Sequence, residues 1–313
     1  MAAYHSGFVS IIGRPNAGKS TLLNALVGEK VAIVTHKPQT TRNRIAGIVN
    51  VKQKKDRNAG QIVFIDTPGV HKPDSQLGRQ MMQEVHDALE GRDLVLWIVD
   101  ATQKFGTGDQ FVLDLIKRSG GRVFLLLNKI DLLHKDELLP LIGQFSKLHH
   151  FEQIIPISAH KKDGLERLVD KVIAALPQGP RYFPADQITD QPMRFLASEI
   201  IREKVLVALG QEVPYATAVM IEEYKESKKL VEISATIFCE RTGQKAIIIG
   251  KGGAMLKKIG TSARLNLEKL TGTKVFLQLF VKVVPDWRSS RRFVEDLDWR
   301  RQLEDLTHRI PPQ

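Results

Sequence analysis

The sequence predicts two linked domains: an α/β domain built on a doubly wound, mainly parallel sheet, and after it a smaller α+β domain. Three observations lead there. Across residues 1–176, short apolar, β-rich runs alternate with longer amphipathic ones, the pattern of repeated strand–helix units. Residues 177–192 break that pattern with Pro177, Pro180, Pro184 and Pro192, a density that disfavours any continuous element, so they read as a linker. From 193 to 313 the order becomes helix, strand, strand, helix, helix, strand.

In the first domain, residues 8–12, 31–34, 45–51, 62–65, 94–99, 123–127 and 154–157 are short apolar runs of strand length. Residues 21–27, 77–89, 109–118, 137–147 and 165–176 read as helices. The polar stretch 52–60, closed by Gly60, turns between two adjacent strands. Sheets of this kind bind ligands beyond the carboxyl ends of their strands. In the second domain, residues 195–209 form an amphipathic helix, and 216–223 and 230–238 alternate as strands. Residues 245–249 make a short helix, 254–270 a longer one, and 275–283 another strand. No internal repeat or low-complexity segment appears.

Composition narrows the class. The 313 residues are 42% hydrophobic, which excludes a disordered chain. The one cysteine, Cys239, excludes an internal disulfide framework and, with no signal peptide, fits a reducing cytosol. No run of 18 apolar residues is long enough to span a bilayer. His149, His150 and Cys239 lack metal-ligand spacing. Net charge is +11, and between Arg241 and Arg292 twelve Lys or Arg stand against Glu268 and Asp286. Such a local field attracts polyphosphates, nucleic acid first and anionic membrane second.

Gly13-Arg14-Pro15-Asn16-Ala17-Gly18-Lys19-Ser20 fits G-x-x-x-x-G-K-[ST], and Thr21 follows it. The motif comes after an apolar strand and opens a helix, so backbone N–H groups and the helix N-terminus face phosphates. Lys19 would hold β- and γ-phosphate oxygens and Ser20 would ligate Mg²⁺. Asp66-Thr67-Pro68-Gly69 follows the next strand. Asp66 suits a water bound to that metal, and the Gly69 N–H suits the γ-phosphate.

Asn128-Lys129-Ile130-Asp131 selects the base. Asp131 can accept from guanine N1–H and the exocyclic amine, a donor pair that adenine lacks; a buried polar group left unpaired is costly. Asn128 would reach O6 or N7, and the Lys129 stem would cover the ring. Ser158-Ala159-His160 completes the set with the Ala159 N–H aimed at O6. The ligand expected is GTP or GDP.

Together these elements resemble the translation-factor-related GTPase class. Gln39-Thr40-Thr41-Arg42 matches the switch segment of its small bacterial members. The resemblance implies that Thr41, rather than Thr40, closes on Mg²⁺ when the γ-phosphate is present. Lys19, Thr41 and Gly69 are then the catalytic set. Val70 departs from the small signalling GTPases, which place a water-orienting glutamine there; a valine cannot orient water, so intrinsic hydrolysis is expected to be slow. By analogy, Asn16 resembles GTPases that recruit K⁺ in place of an arginine finger.

In the second domain, Gly250-Lys251-Gly252-Gly253 lies between an apolar run and an amphipathic helix. A Gly-x-x-Gly turn between two helices is how a KH domain clamps about four nucleotides of RNA backbone. Lys257, Lys258 and Arg264 on the following helix, and Arg288 near its end, are candidate phosphate contacts, with Arg291 and Arg292 beside them. Trp287, Phe293 and Trp299 read as packing residues. A phosphate-loop GTPase with one KH domain is similar to the bacterial Era family, from Phe8 to about Trp299. The chain is expected to be a cytoplasmic monomer, and the resemblance implies a GTP-controlled factor for small ribosomal subunit assembly, whose RNA is the single-stranded 3′ end of small-subunit rRNA. It also implies peripheral contact with the inner face of the cell membrane. Two other classes remain open: a non-enzymatic RNA chaperone holding GTP structurally, and a membrane-surface GTPase.

Overall fold

The computed structural model describes residues 4–302 apart from 38, 211 and 212. The chain divides into two compact units: the first holds the residues up to Lys72 and Met81–Asp190, and the second holds Pro73–Gln80, where the helix Gln76–Leu89 begins, and the residues from Gln191.

The first unit is a six-stranded sheet with helices. Its strands are β1 (His5–Ile12), β2 (Ile45–Val51), β3 (Gly60–Asp66), β4 (Leu94–Asp100), β5 (Val123–Asn128) and β6 (Gln153–Ile157), in the order β2-β3-β1-β4-β5-β6. All neighbours run parallel except β2 and β3, which form an antiparallel hairpin through the predicted polar turn. The helices are α1 (Lys19–Val27), α2 (Gln76–Leu89), α3 (Thr107–Ser119), α4 (Lys135–Ser146) and α5 (Leu165–Ala175). Strand β4 is apolar without alternation because it is buried over Leu94–Val99. Trp97, fully buried, packs with Phe145 and Phe151, each ring 5.8 Å away. Strand order reverses around β1, the crevice where sheets of this class hold ligands.

Residues 31–34 do not form the expected strand. Val31, Ala32 and Ile33 are buried, which explains their apolar character. Their backbone partner is a side chain: Asn24 Oδ1 accepts from Val31 N–H and Ala32 N–H, and its Nδ2 donates to Ala32 O. An asparagine one turn before the helix end thus replaces the ladder.

The proline-rich segment is also tied down, as a strap on the first unit. Proline lacks a donor but keeps its carbonyl: Ser6 N–H donates to Pro177 O and Ser6 Oγ to Pro180 O. Fully buried Gln61 accepts from the N–H groups of Tyr182 and Phe183 and donates to Phe183 O. Along β2, Ile48 N–H donates to Ile188 O and Thr189 Oγ1 to Ala46 O.

The second unit comprises α6 (Met193–Ala208), β7 (Ala218–Glu226), β8 (Leu230–Cys239), α7 (Thr242–Ile249), α8 (Ala254–Thr271), β9 (Lys274–Val283) and α9 (Arg291–Asp296). β7 pairs antiparallel with β8, and β8 parallel with β9. Ile201, Val205, Ile233, Ile237, Ile248, Ile259, Ala263 and Leu267 make its core. Trp287 is buried and donates to Ala216 O; Phe293 lies against both Trp287 and Phe238. The last expected residues, 303–313, lie outside the described residues, as does Pro38, the residue before Gln39. Among the described residues no helix is long and apolar enough to cross a membrane.

Candidate functional site

β1 runs directly into the glycine loop. Gly13 has no room for a side chain, since a Cβ there would lie 2.3 Å from Ile98 O. Asn16 and Gly18 take positive φ, 63° and 100°, and a Cβ on Gly18 would lie 2.3 Å from Asn128 Nδ2. The turn delivers the chain to α1, which has neither a side-chain cap nor an acidic residue in its first turn, so its N–H groups remain for an anion. Lys19, 6% exposed, donates to Gly13 O and Arg14 O at 3.0 and 2.9 Å. Burial lowers its pKa to about 8 against the opposing pull of Asp66. A cleft lined by Asn16, Gly18, Lys19, Ser20, Thr21, Thr41 and Gly69 opens over this loop.

Three side chains from distant segments meet at its base. Ser20 Oγ donates to Asp66 Oδ2 at 2.7 Å and lies 2.8 Å from Thr41 Oγ1, which itself approaches Asp66 Oδ2 at 3.3 Å. These are the three residues expected around Mg²⁺. Asp66 is fully buried, and its Oδ1 has no hydrogen-bond partner. A buried carboxylate oxygen without a donor, beside two hydroxyls, is a donor set that fits a hard, oxygen-seeking cation. Burial raises the Asp66 pKa to about 6, against Lys19, the Ser20 and Thr41 hydroxyls and the Thr67 N–H. Thr40 turns elsewhere, to Thr35 Oγ1 and Lys37 O.

The base end is stitched by Asn128, 2% exposed at the end of β5. Its Nδ2 donates to Ala17 O at 2.8 Å, and its Oδ1 accepts from Ala159 N–H at 3.0 Å. Asn128 therefore joins the phosphate loop to the Ser158-Ala159 loop. The Ala159 N–H expected at guanine O6 is held by Asn128 here, so a ligand oxygen would share or take that donor. Lys129, at φ 69°, pairs with Asp100 at 2.6 Å. Burial works against the Asp100 carboxylate, but hydrogen bonds from Lys129 and Thr102 hold its pKa below the usual value. Sequence reading missed Asp100, although it ends a strand as Asp66 and Asn128 do. Asp131 lies exposed in the one-turn helix Ile130–Leu132, and Ser158 Oγ accepts from Lys161 N–H.

Gly69 passes close to Pro15, where a Cβ would come within 2.8 Å. The next side chain, Val70, points away: it is 1% exposed and packs with Ile12, Met82 and Val85. Its N–H donates to Gly13 O.

In the second unit, Gly250, Gly252 and Gly253 all take positive φ between α7 and α8. Gly250 is a packing glycine, since a Cβ would lie 2.7 Å from Met255 Cβ; Gly252 and Gly253 face open space. A groove beside the turn is lined by Gly253, Leu256, Lys257, Gly260, Arg264, Leu277 and Leu279. It gathers Lys257 and Arg264, two turns apart on α8, and leaves out the adjacent Lys258. Arg264 shares its charge with Glu268 at 2.6 Å. Arg288, expected at phosphate, is held by both oxygens of Glu240, at 3.0 and 2.8 Å. A bidentate partner of that kind satisfies the guanidinium internally.

A strand-loop-helix phosphate cradle with a guanine-type loop, followed by a Gly-x-x-Gly clamp on an α+β unit, defines a phosphate-loop GTPase of the translation-factor-related class carrying a KH module. Two family models match accordingly, "50S ribosome-binding GTPase" over residues 8–129 and "KH domain" over residues 212–288. The chain is 52% identical to GTPase Era of Geobacter metallireducens, over 95% of this chain and 98% of that protein. It is 45% identical to GTPase Era of Staphylococcus haemolyticus, over 96% and 98%. Among solved structures it resembles an Aquifex aeolicus Era variant bound to GDP·AlF4⁻ (41% identity, TM-score 0.88). It also resembles Era in complex with MgGDPNP and nucleotides 1506–1542 of 16S ribosomal RNA (41% identity, TM-score 0.89). Each match covers 93% of this chain and 98% of the other. The chain belongs to the GTPase Era family and is a GTPase.

Proposed function

We propose that this GTPase uses its nucleotide state to control engagement of the single-stranded 3′ end of small-subunit rRNA during ribosomal small-subunit assembly. One observation carries the reading: an Era that matches this chain through both units holds MgGDPNP and 16S RNA at once. The family description covering residues 8–129 names the 50S subunit, but it concerns the GTPase part alone. The RNA-bound relative matches the KH part as well.

In this reading the phosphate-loop N–H groups and Lys19 hold the β- and γ-phosphates, Thr21 lies beside them, and Gly69 N–H meets the γ-phosphate. Ser20, Thr41 and, through water, Asp66 hold Mg²⁺, which when bound neutralises charge on the phosphates. Thr41 links the switch segment to that set, so loss of the γ-phosphate releases it. Asn128, Lys129, Asp131, Ser158 and Ala159 recognise guanine. Lys251, Gly252, Gly253, Lys257 and Arg264 receive the RNA backbone.

Val70 is buried, so no side chain at that position orients the attacking water, and basal hydrolysis is slow. Asn16, whose amide donates to His36 O, supports K⁺ binding at the loop. The protein acts as a cytoplasmic monomer, and the basic clamp surface also accounts for peripheral contact with anionic lipid.

Single-turnover GTP hydrolysis tests this, with a 3′-end rRNA oligonucleotide or a scrambled one, in K⁺ or Na⁺ at matched ionic strength. The expected result is slow basal turnover, faster in K⁺ and faster with the matching RNA. Equal rates in both salts remove the potassium role. No turnover under any condition contradicts the switch in favour of a chaperone that holds GTP structurally.

A further inference from the structure

Strand β9 has two faces, and the groove uses one. Leu277 and Leu279 line the groove beside Gly253, Lys257 and Arg264. The alternate residues, Lys274, Phe276, Gln278, Phe280 and Lys282, stand on the opposite face of the sheet, and all five are exposed. Phe276 and Phe280 are 52% and 55% exposed, and no other phenylalanine among the described residues is exposed. A strand that buries one face ordinarily carries polar residues on the other. Here the solvent face reads Lys-Phe-Gln-Phe-Lys, so two phenyl rings stand in water at positions that ordinarily carry polar residues.

The neighbours indicate what kind of contact. The register places Glu232, Ser234 and Thr236 of β8 beside Phe276, Gln278 and Phe280. Lys225 of β7 lies beside Glu232 in the register and is ion-paired with Glu223, which stands opposite Ser234, so the far side of this face also carries two carboxylates. The rings are therefore separate, about 13 Å apart along the strand, with amide and hydroxyl groups between them and a lysine at each end. A protein partner prefers a contiguous apolar patch depleted in charge. Separated rings with interleaved hydrogen-bonding groups and terminal cations suit unstacked bases and their phosphates. β9 is also the edge strand of its sheet, so one strand separates this face from the groove.

We propose that the outer face of β9 is a second platform for single-stranded RNA. RNA leaving the groove crosses the β9 edge and stacks bases on Phe276 and Phe280, with Lys274 and Lys282 at its phosphates. The proposal rests on the RNA reading of the groove and extends its footprint beyond the clamp.

Fluorescence anisotropy on the full-length protein tests it with two RNAs from the small-subunit 3′ end. One has about five nucleotides, enough for the clamp; the other continues to about twelve. The double variant Phe276→Ala/Phe280→Ala should lose about tenfold or more in affinity for the longer RNA and stay within about twofold for the shorter. Phe→Trp variants should keep the affinity, and Phe→Leu variants should lose it as alanine does, because leucine is apolar but cannot stack. Circular dichroism checks folding, and the single variants give the same comparison if the double variant fails to fold.

Wild-type protein that binds neither RNA overturns the groove reading and the platform with it. Wild-type protein that binds both equally, with phenylalanine variants unchanged, overturns the platform and leaves the groove intact. Leucine variants with full affinity also overturn it, since the contact would then be merely apolar. Anionic phosphatidylserine vesicles provide the remaining arm: alanine variants that lose vesicle binding but keep long-RNA affinity assign the face to lipid and overturn the proposal.

Discussion

The two sites use one backbone device in opposite surroundings. In each, a glycine turn with positive φ leads into a helix, α1 or α8, that lacks both a side-chain N-cap and an acidic residue in its first turn. Both helices thus present free N–H groups at a glycine corner, an arrangement suited to phosphate. Around the first turn the chain closes in: Lys19, Thr41, Asp66 and Asn128 are all buried, with side chains bonded across segments. Around the second it stays open, with Lys251, Gly252, Lys257 and Lys258 exposed. Enclosure lets a site measure a small ligand group by group, because an unmatched buried group is costly. A polymer must enter and leave at both ends, so its site has to remain open and rely on phosphate charge and stacking.

The comparison breaks most sharply at Lys19. Lys19→Ala removes a buried cation from the enclosed site and should weaken GTP binding about a hundredfold or more. RNA affinity measured without nucleotide should be unchanged. Isothermal titration with GTP and anisotropy with RNA read the two sides, and a parallel loss of RNA binding would show that the sites are not separable in this way.

Asp131→Asn should follow, with about a hundredfold loss of preference for guanine over xanthine nucleotide. The new amide can donate to the xanthine carbonyl that replaces the guanine amine. Retained GTP selectivity in competition binding would refute the base assignment.

The open site is broken by the paired change Lys251→Asp and Lys257→Asp, which puts two carboxylates at the clamp. RNA affinity should drop about tenfold to a hundredfold while GTP affinity holds. Gly250 is the wrong position for this test: its missing Cβ avoids Met255, so Gly250→Asp would report on folding.

A pH titration sharpens the contrast in enclosure. Asp66 is protonated below about pH 6 in the free protein. Apparent Mg²⁺ affinity in the presence of GTP should then fall about tenfold per pH unit below that value, because the metal needs the carboxylate. Stability of the free protein should move the other way. The folded form holds this proton more tightly than the unfolded chain, whose value is 3.8, so burial of the anion costs stability above about pH 6. That cost is relieved as pH falls from about 6 towards 3.8. A flat Mg²⁺ profile across this range would remove Asp66 from the metal set.

The smallest expected effect separates two adjacent lysines. Lys257 lines the groove and Lys258 does not. Lys257→Ala should flatten the log–log salt dependence of RNA binding by about 0.7, one single-strand phosphate contact. Lys258→Ala should leave the slope unchanged, and equal effects from both would mean that RNA contacts more of α8 than the groove.

Much of this was legible before any coordinates, for a local reason. The phosphate loop, Asp66 with Gly69, and the Asn128–Asp131 turn each occupy a few consecutive residues at the end of an apolar strand, so spacing and strand position specify their chemistry together. Val70 is legible in the sequence as a side chain that cannot bond water, and its burial in the Ile12–Met82–Val85 core supplies the reason that it is a valine. The clamp was legible from three glycines and a lysine between two helical patterns.

Tertiary structure decided which polar groups find one another. Periodicity reports that a residue is buried but not what covers it, so residues 31–34 look like a strand although Asn24 takes their backbone groups. The prolines of 177–192 read as a linker without a continuous element, but no pattern announces what it lies against: Gln61, more than a hundred residues earlier, with matched donors and acceptors. The same blindness to distant partners hid the Lys129–Asp100 and Arg288–Glu240 pairs. Helical wheel position alone could not divide Lys257 from Lys258, nor could alternation along β9 say which face meets α8 and which is left with Phe276 and Phe280. Those outcomes depend on hydrogen bonds and packing between residues far apart in sequence, which only the folded chain brings within reach.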